Sequence, residues 1–286
     1  MWTKIKLLLQ MIKFEHTVFA LPFAYAGAVL AARGFPAAKP ALLILGCMVG
    51  ARTAAMTFNR LADLPFDAEN PRTRHRHLVT GAVKPAEAWA LFFAASFLYY
   101  LCAAGLNRLT LKLSPIAYMV IILYSYTKRF TWLCHLFLGT ALALAPLGGY
   151  VAVQGAFSEP EIFLLGLGVI FWVAGFDILY ACMDEAFDRE VGLHSVPARF
   201  GRRRAFHLSS LFHLLAFLLF AAAGWAFGLT WPYYVALMIT AALFLAQRLA
   251  VNPQTLEGLD MAFFTFNGAI SVVIFSGILL SFLLRG

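Results

Sequence analysis

The chain has 286 residues, of which 62% are hydrophobic and only 13% are charged. A soluble domain carries about 25% charged residues, so this composition excludes a soluble globular protein and indicates a polytopic membrane protein. The net charge of +8 does not require a nucleic-acid partner, because the basic residues follow the sidedness that is typical of membrane loops.

The N-terminal residues 1–12 mix lysines with leucine, isoleucine and tryptophan, which predicts a short amphipathic helix on the membrane surface. A basic start before an apolar run also occurs in signal peptides. Here Lys13 and Glu15 interrupt the early apolar part, and the run 17–32 suits a spanning helix. We therefore expect a membrane span rather than a cleaved leader.

Nine apolar stretches are long enough to cross a bilayer, which takes about 20 residues in a helix. The predicted spans are 14–33, 40–62, 85–105, 108–126, 132–153, 160–183, 205–228, 230–250 and 262–284. Lys112 and Pro115 make the fourth span the least regular. The connections at 106–108 and 228–231 are so short that their flanking helices must be antiparallel. The predicted fold class is all-α, with about nine transmembrane helices in one domain comprising residues 1–286.

Lysine and arginine are divided unequally between the two sides of this predicted bundle. Sixteen of them lie with the N-terminus and the 2–3, 4–5, 6–7 and 8–9 loops, whereas five lie on the other side. Because these residues favour the cytoplasm, we expect the N-terminus and those loops to be cytoplasmic, and the protein to be integral to the cytoplasmic (inner) membrane.

The second span ends in a cluster of polar residues. Asn59, Asp63 and Asp67 recur every four residues there. Arg52 shares a helical face with Asn59 and Asp63 and lies inside the span, where a charge is costly, so it should face the protein interior. Pro65 predicts that the helix stops or kinks near residue 64, so helical spacing does not predict the direction of Asp67.

The sixth span ends in a second acidic cluster, Asp177, Tyr180, Asp184 and Asp188, whose members share one helical face. Carboxylates on one face repel each other unless a cation lies between them. Mg²⁺ prefers hard oxygen ligands and often bridges carboxylates to phosphates. We therefore predict that the two clusters face each other and hold Mg²⁺ on a diphosphate. Solvated loop acids are the alternative, which two equivalent helix ends disfavour.

The two clusters also suggest an internal repeat. Asn59-Asp63-Asp67 and Tyr180-Asp184-Asp188 have the same spacing and are offset by 121 positions. This offset predicts two similar four-helix units followed by a ninth helix.

These motifs resemble those of the UbiA superfamily of intramembrane prenyltransferases. Asn59-x-x-x-Asp63-x-x-x-Asp67 is similar to the first signature, and Asp177-x-x-Tyr180-x-x-x-Asp184-x-x-x-Asp188 is similar to the second. The resemblance extends to Arg52, to the loop Asn70-Pro71-Arg72-Thr73 with Arg76 and Gly81, and to Tyr124-x-x-x-Lys128-Arg129. Within the superfamily the chain looks closest to the 4-hydroxybenzoate polyprenyltransferases and the related menaquinone-pathway enzymes, and residues 72–84 lean toward the latter.

The resemblance implies a helical bundle around a central cavity that opens to the cytoplasm and sideways to lipid. It implies transfer of a polyprenyl group from polyprenyl diphosphate to a small aromatic acid. The implied roles are Mg²⁺ binding for Asp63, Asp67, Asp184 and Asp188; diphosphate binding for Asn59, Arg72, Arg76 and Lys128; shaping of the reactive end for Tyr124, Asp177 and Tyr180; and acceptor binding for Arg52.

Several alternatives stay open at this point. The acceptor is either 4-hydroxybenzoate or a dihydroxynaphthoate, with haem and homogentisate prenylation less favoured. A cation-coupled secondary transporter is another class, although transporter sites lie near the midplane of the bilayer rather than at helix ends. A CDP-alcohol phosphotransferase would need an Asp-Gly pair and Ala-Arg before its DxxxD, and the sequence contains no such run.

Overall fold

The computed structural model describes residues 2–13, 20–259 and 262–285, and every regular element in these ranges is helical. The helices are α1 (Trp2–Met11), α2 (Leu21–Ala32), α3 (Ala38–Ala62), α4 (Leu64–Glu69), α5 (Pro85–Leu106), α6 (Arg108–Thr127), α7 (Cys134–Gln154), α8 (Ile162–Ala181), α9 (Glu185–Glu190), α10 (Val196–Phe200), α11 (Arg202–Ala226), α12 (Trp231–Ala250) and α13 (Asn267–Leu283). A 3₁₀ turn, Cys182–Asp184, joins α8 to α9, and a π-helical turn, Ala262–Phe266, precedes α13. The prediction of an all-α fold is confirmed.

Eight of the described helices are long and apolar enough to cross a membrane. They include α6, the irregular fourth prediction, which begins after Asn107 because the Asn107 side chain accepts a hydrogen bond from the Thr110 N–H at 2.9 Å. The predicted first span corresponds to α2, which is apolar but has only 12 described residues. Residues 14–19 of that predicted span lie outside the described residues.

Four pairs of helices make the most extensive contacts: α3 with α5, α8 with α11, α7 with α8, and α2 with α7. The main apolar core surrounds Trp172 of α8, whose side chain is fully buried. The Trp172 ring lies 5.1 Å from the ring of Phe23 on α2, and Phe23 stacks on Phe220 of α11. This core fixes α8, the helix that carries Asp177 and Tyr180 and leads into the rest of the second acidic cluster.

The N-terminal helix α1 is present as predicted, but part of its apolar face packs on protein. Met11 and Ile12, at and just after its end, are buried against Leu78 and Val83 of the loop between α4 and α5. These contacts fix the loop at the same end of the bundle as both acidic clusters. That loop supplies Arg72 and Arg76 of the site.

Candidate active site

The first acidic cluster lies at a break between two helices. Asp63 ends α3, and Pro65 stands in the first turn of α4, where its missing N–H costs nothing. The Asp67 N–H still donates to the Asp63 carbonyl at 2.8 Å. The predicted break is therefore confirmed, and Asp67 nevertheless returns to the side of Asp63. Both carboxylates are buried, with exposed fractions of 5% and 6%.

The loop after α4 supplies the counter-charges for both clusters. Arg76 Nη1 donates to both carboxylate oxygens of Asp67, at 2.7 and 2.6 Å. Arg72 reaches across to the second cluster and binds Asp184 with two bonds, Nε–Oδ1 at 2.8 Å and Nη2–Oδ2 at 2.6 Å. Asn70 Nδ2 also donates to Asp184, at 2.9 Å. The two clusters therefore face each other across this loop.

The second cluster follows a helix that changes geometry. α8 ends at Ala181, and Asp184 closes the 3₁₀ turn before α9 carries Asp188. The uninterrupted helical face predicted for residues 177–188 is therefore wrong, because the tighter turn changes the phase of the residues beyond it. Tyr180 remains near Asp184, because Arg72 contacts both. Arg72 binds Asp184, and its guanidinium lies 5.4 Å from the centre of the Tyr180 ring.

Asp63, unlike Asp67, has no basic side chain within hydrogen-bonding distance among the described residues. Its Oδ2 accepts from Asn59 Nδ2 at 3.1 Å and lies 3.9 Å from Lys128 Nζ. Its Oδ1 is buried and has no hydrogen-bond partner in the described part of the chain. Burial raises the pKa of Asp63, although the charge of Lys128 opposes the shift. A buried carboxylate oxygen with no donor fits a cation or a ligand-bound metal as its partner.

A cavity of about 320 Å³ opens beside this polar end of the bundle, and residues of α2, α3, α5, α6 and α7 line it. Arg52 and Tyr124 line the part nearest the clusters, and the lining is otherwise mostly apolar as far as Thr110 and Phe157. Arg52 Nε is buried and makes no hydrogen bond to the described residues. Arg52 therefore faces the interior, as predicted, with one donor left for a ligand.

Two of the three residues predicted to shape the reactive end of the cavity lie outside this lining. Asp177 and Tyr180 belong to the second cluster and are half-buried there, whereas Tyr124 lines the cavity itself. Asp177 Oδ2 lies 2.7 Å from Nδ1 of His135, the second residue of α7. Sequence reasoning missed His135, although a histidine inside an apolar span is a signal of a specific polar contact.

Two of the predicted metal ligands form ion pairs with arginines in the structure. Within the described residues, no group of three or more His, Cys, Asp or Glu is close enough to hold a metal ion. Asp67 and Asp184 are engaged by Arg76 and Arg72 instead. Because arginine binds carboxylate and phosphate with the same fork geometry, these two side chains suit an exchange of partners.

Comparison with known proteins gives the chain's relatives. The UbiA prenyltransferase family model matches residues 20–269. A 4-hydroxybenzoate octaprenyltransferase from Psychromonas ingrahamii is 30% identical over 254 residues, which cover 89% of this chain and 88% of that protein. One from Citrobacter koseri is 32% identical over 248 residues, which cover 85% of this chain and 84% of that protein.

Solved structures agree with these matches. The apo structure of a UbiA homologue from Aeropyrum pernix K1 is 40% identical and has a TM-score of 0.85, covering 93% of this chain and 98% of that chain. A UbiA homologue from Archaeoglobus fulgidus, bound to DMAPP and Mg²⁺, is 20% identical and has a TM-score of 0.71, covering 97% and 99% of the two chains. At that lower identity the likeness concerns the fold.

Proposed function

This chain belongs to the UbiA prenyltransferase family, and we propose that it transfers a polyprenyl group from polyprenyl diphosphate to the ring of a 4-hydroxybenzoate-type acid. It is an integral membrane enzyme, a prenyltransferase. One observation carries the proposal: a buried oxygen of Asp63 has no hydrogen-bond partner among the described residues, while the charges of Lys128 and Arg76 act on the same carboxylate. Asp63 also lies close to Tyr124, which lines the apolar cavity. A metal-bound diphosphate fits the polar end and its lipid chain fits the cavity.

The four motif aspartates, Asp63, Asp67, Asp184 and Asp188, would hold Mg²⁺. Bound there, Mg²⁺ would neutralise the negative charge that develops on the leaving diphosphate. Related structures contain DMAPP or GPP together with Mg²⁺, which supports the assignment. Asn59, Arg72, Arg76 and Lys128 lie within the same polar end and would bind the diphosphate oxygens. Arg72 and Arg76 would then leave their carboxylates for the phosphates, which bind the guanidinium fork equally well.

The reaction breaks the allylic C–O bond of the prenyl diphosphate and joins that carbon to a ring carbon of the acceptor. The ring then loses a proton, and diphosphate leaves with the electron pair of the broken bond. Water would capture the cationic prenyl group, so the reacting end must be dry. Tyr124 contributes an aromatic wall to the cavity at this point, and aromatic faces stabilise nearby cations.

Arg52 supports an acceptor that carries a carboxylate. It lies on α3, inside the bilayer span and in the cavity lining, and its buried Nε has no partner among the described residues. A carboxylate satisfies that donor and offsets the buried charge. The names of the two octaprenyltransferases favour 4-hydroxybenzoate. A dihydroxynaphthoate offers the same carboxylate on a larger ring, and it is the competing acceptor in the test.

The polar end of the bundle would face the cytoplasm, in the inner membrane. The bases of the site, Arg72, Arg76 and Lys128, lie at the ends of spans on the side where most lysines and arginines fall. Polyprenyl diphosphate would enter with its charged head at this surface and its chain in the cavity. Protease protection of a tag on the loop at residue 74 in inverted vesicles tests this orientation.

The test of function uses the purified full chain in lipid nanodiscs with Mg²⁺, farnesyl diphosphate and equal concentrations of both acids. Mass spectrometry should detect prenylated 4-hydroxybenzoate, and EDTA should abolish it. Predominant prenylation of the dihydroxynaphthoate would change the acceptor. Full activity of Asp63→Asn and Asp184→Asn would overturn the metal assignment, and no prenylated product from either acid would overturn the acceptor class.

A further inference from the structure

A short segment behind the second cluster contacts three parts of the proposed site. Its residues, 194–196, precede and begin α10. The His194 N–H donates to the Lys128 carbonyl at 2.7 Å. The Ser195 hydroxyl donates to Asp188 Oδ2 at 2.9 Å. The Val196 N–H donates to a ring nitrogen of a buried histidine, His135, at 3.2 Å.

His135 connects the backbone of Val196 to the side chain of Asp177. Its side chain is only 3% exposed, and its two ring nitrogens have different partners. Because Nε2 accepts from the Val196 N–H, Nε2 carries the lone pair and the proton is on Nδ1. Nδ1 then donates to Asp177 Oδ2 at 2.7 Å. The backbone of residue 196 therefore sets the tautomer of His135 and the direction of its bond to Asp177.

The Ser195 hydroxyl makes two hydrogen bonds, one as an acceptor and one as a donor. Its Oγ accepts from the Ala198 N–H at 3.3 Å, which caps α10, so its proton is directed at Asp188. The side chain is 3% exposed, so water does not compete for these bonds. Oδ2 of Asp188 is used by Ser195, while Oδ1 accepts no hydrogen bond from the described residues. That oxygen is left for a ligand.

We propose that His135 and Ser195 are positioning residues, and that segment 194–196 with His135 forms a clasp that orients Asp177, Asp188 and Lys128. The inference rests on the proposed function, since it concerns how those groups meet Mg²⁺ and diphosphate. Carboxylates of one cluster repel each other, so without fixed donors they turn apart. The clasp supplies those donors: His135 binds Oδ2 of Asp177, and Ser195 binds Oδ2 of Asp188. The other oxygen of each carboxylate is then directed toward the ligand. Neither His135 nor Ser195 touches substrate in this arrangement.

Each pair of variants removes the hydrogen bonds of one residue of the clasp or keeps a donor at its place. Ser195→Ala removes the donor to Asp188, and Ser195→Thr keeps it. His135→Phe removes both ring contacts, whereas His135→Asn keeps a donor near the Nδ1 position. The matched control is His213→Phe. His213 is also a buried histidine of a spanning helix, but it stacks on Phe244 and its Nε2 makes no hydrogen bond to the described residues.

Groups that support metal ligands typically change metal affinity or activity by about 10- to 100-fold. We expect Ser195→Ala to raise the Mg²⁺ concentration for half-maximal activity about tenfold, and Ser195→Thr to restore it. His135→Phe should lower kcat about tenfold with KM for the acceptor unchanged, and His135→Asn should recover most of the loss. Calorimetric titration with Mg²⁺ and farnesyl diphosphate, without acceptor, should show the same order of affinities. Thermal unfolding is measured for every variant.

The outcomes separate the clasp from the proposed function. Wild-type binding and kinetics in Ser195→Ala and His135→Phe would overturn the clasp. So would losses that His213→Phe shares, or losses in Ser195→Thr and His135→Asn as large as in the removing variants. If the wild-type chain binds Mg²⁺ and diphosphate in the calorimeter but prenylates neither acid, the proposed acceptor fails while the binding order still tests the clasp.

Discussion

At the scale of single residues, the fold leaves Asp63 with a conflict between burial and charge. Its pKa is raised by burial, so the folded chain holds a proton on Asp63 more tightly than the unfolded chain does. The stability contributed by that proton is present below the ordinary value of 3.8 and is lost as the pH rises through the raised pKa. Ionisation of Asp63 therefore lowers the free energy of unfolding when no cation is bound to it.

Asp63→Asn should consequently raise the unfolding temperature of the Mg²⁺-free protein at pH 7 while abolishing prenyl transfer. Each kcal/mol relieved corresponds to about 2–4 °C. The gain should shrink when unfolding is measured at pH 4, because the wild-type carboxyl is then protonated more often. Glu190→Gln, at an exposed acid of α9, serves as the control and should change neither property. An unchanged or lower unfolding temperature for Asp63→Asn at pH 7 would contradict this reading.

Arg72 is distinguished from an ordinary positive charge by its geometry. It binds Asp184 through two nitrogens and lies over the Tyr180 ring. Hydrogen bonding to Asp184 raises the pKa of Arg72 against the effect of burial, which lowers it. Lysine keeps the charge but not the fork.

Arg72→Lys should therefore raise KM for prenyl diphosphate about tenfold, the effect of losing one charge-assisted bond. Steady-state kinetics in nanodiscs measures the change. Arg74→Lys provides the matched control, because Arg74 is an exposed arginine of the same loop. If Arg72→Lys kept the wild-type KM, charge alone would be sufficient at this position.

The residues that sequence reasoning found and missed differ in the range of their contacts. The spacing within each cluster, Asp63 with Asp67 and Asp184 with Asp188, is local and visible in the sequence, so each cluster could be predicted. His135 and Asp177 are 42 positions apart, and only the packing of α7 on α8 brings them together. The direction of Asp67 also required the structure, because Pro65 interrupts the helical spacing that a prediction uses.

At the scale of elements, α2 and α7 approach each other through two glycines. A Cβ added at Gly27 would lie 1.9 Å from the Pro146 carbonyl oxygen, and one at Gly149 would lie 1.9 Å from the Ala24 carbonyl oxygen. Each helix thus presents a glycine to the backbone of the other. Small residues allow such close contact between membrane helices.

Gly149→Ala should destabilise the bundle by at least about 1–3 kcal/mol, the usual cost of overpacking, because a backbone oxygen in a helix cannot turn aside. Thermal unfolding in detergent measures the loss. The adjacent Gly148→Ala is its control, since a Cβ there meets no atom within 4 Å, and it should unfold near the wild-type temperature. Equal stability of the two variants would show that α2 and α7 separate at little cost.

The reciprocal contacts of Gly27 and Gly149 support the internal repeat that the sequence predicts. We propose that this repeat relates the two halves of the helical bundle. In both halves a long helix breaks and a short helix follows: α3 and α4 in one, α8 and α9 in the other. The first break was predictable because Pro65 causes it. The 3₁₀ turn that ends at Asp184 was not, because residues 182–184 contain neither proline nor glycine.

At the scale of the whole molecule, the fold separates charge from hydrocarbon along the membrane normal. The ion pairs of the site lie at one end of the spans, and the cavity extends from Arg52 and Tyr124 toward Thr110 and Phe157 at the other. A prenyl chain placed there exchanges lipid for apolar protein, while its diphosphate stays at the surface. Ile116 lines the cavity and is 58% exposed, so the cavity reaches the lipid-facing surface of α6.

From this arrangement we expect the far part of the cavity to limit the length of the prenyl chain, and a substitution of Gly148 tests this expectation. Gly148 lines the cavity and lies 13 positions beyond His135 in α7, roughly 20 Å at 1.5 Å per residue. A Cβ at this glycine meets no atom within 4 Å, so a larger side chain would project into open space. Gly148→Phe should therefore obstruct the distal isoprene units and leave the reacting end unchanged.

We expect Gly148→Phe to lower kcat/KM for an octaprenyl diphosphate at least about tenfold relative to geranyl diphosphate, a discrimination within the range that pocket shape provides. Competition between the two diphosphates, followed by mass spectrometry of the products, measures the ratio directly. Gly34→Phe is the matched control, because Gly34 is also free of neighbours within 4 Å but does not line the cavity. An equal loss for both diphosphates would point to damage at the reacting end, and an unchanged ratio would show that the prenyl chain leaves the cavity before it reaches Gly148.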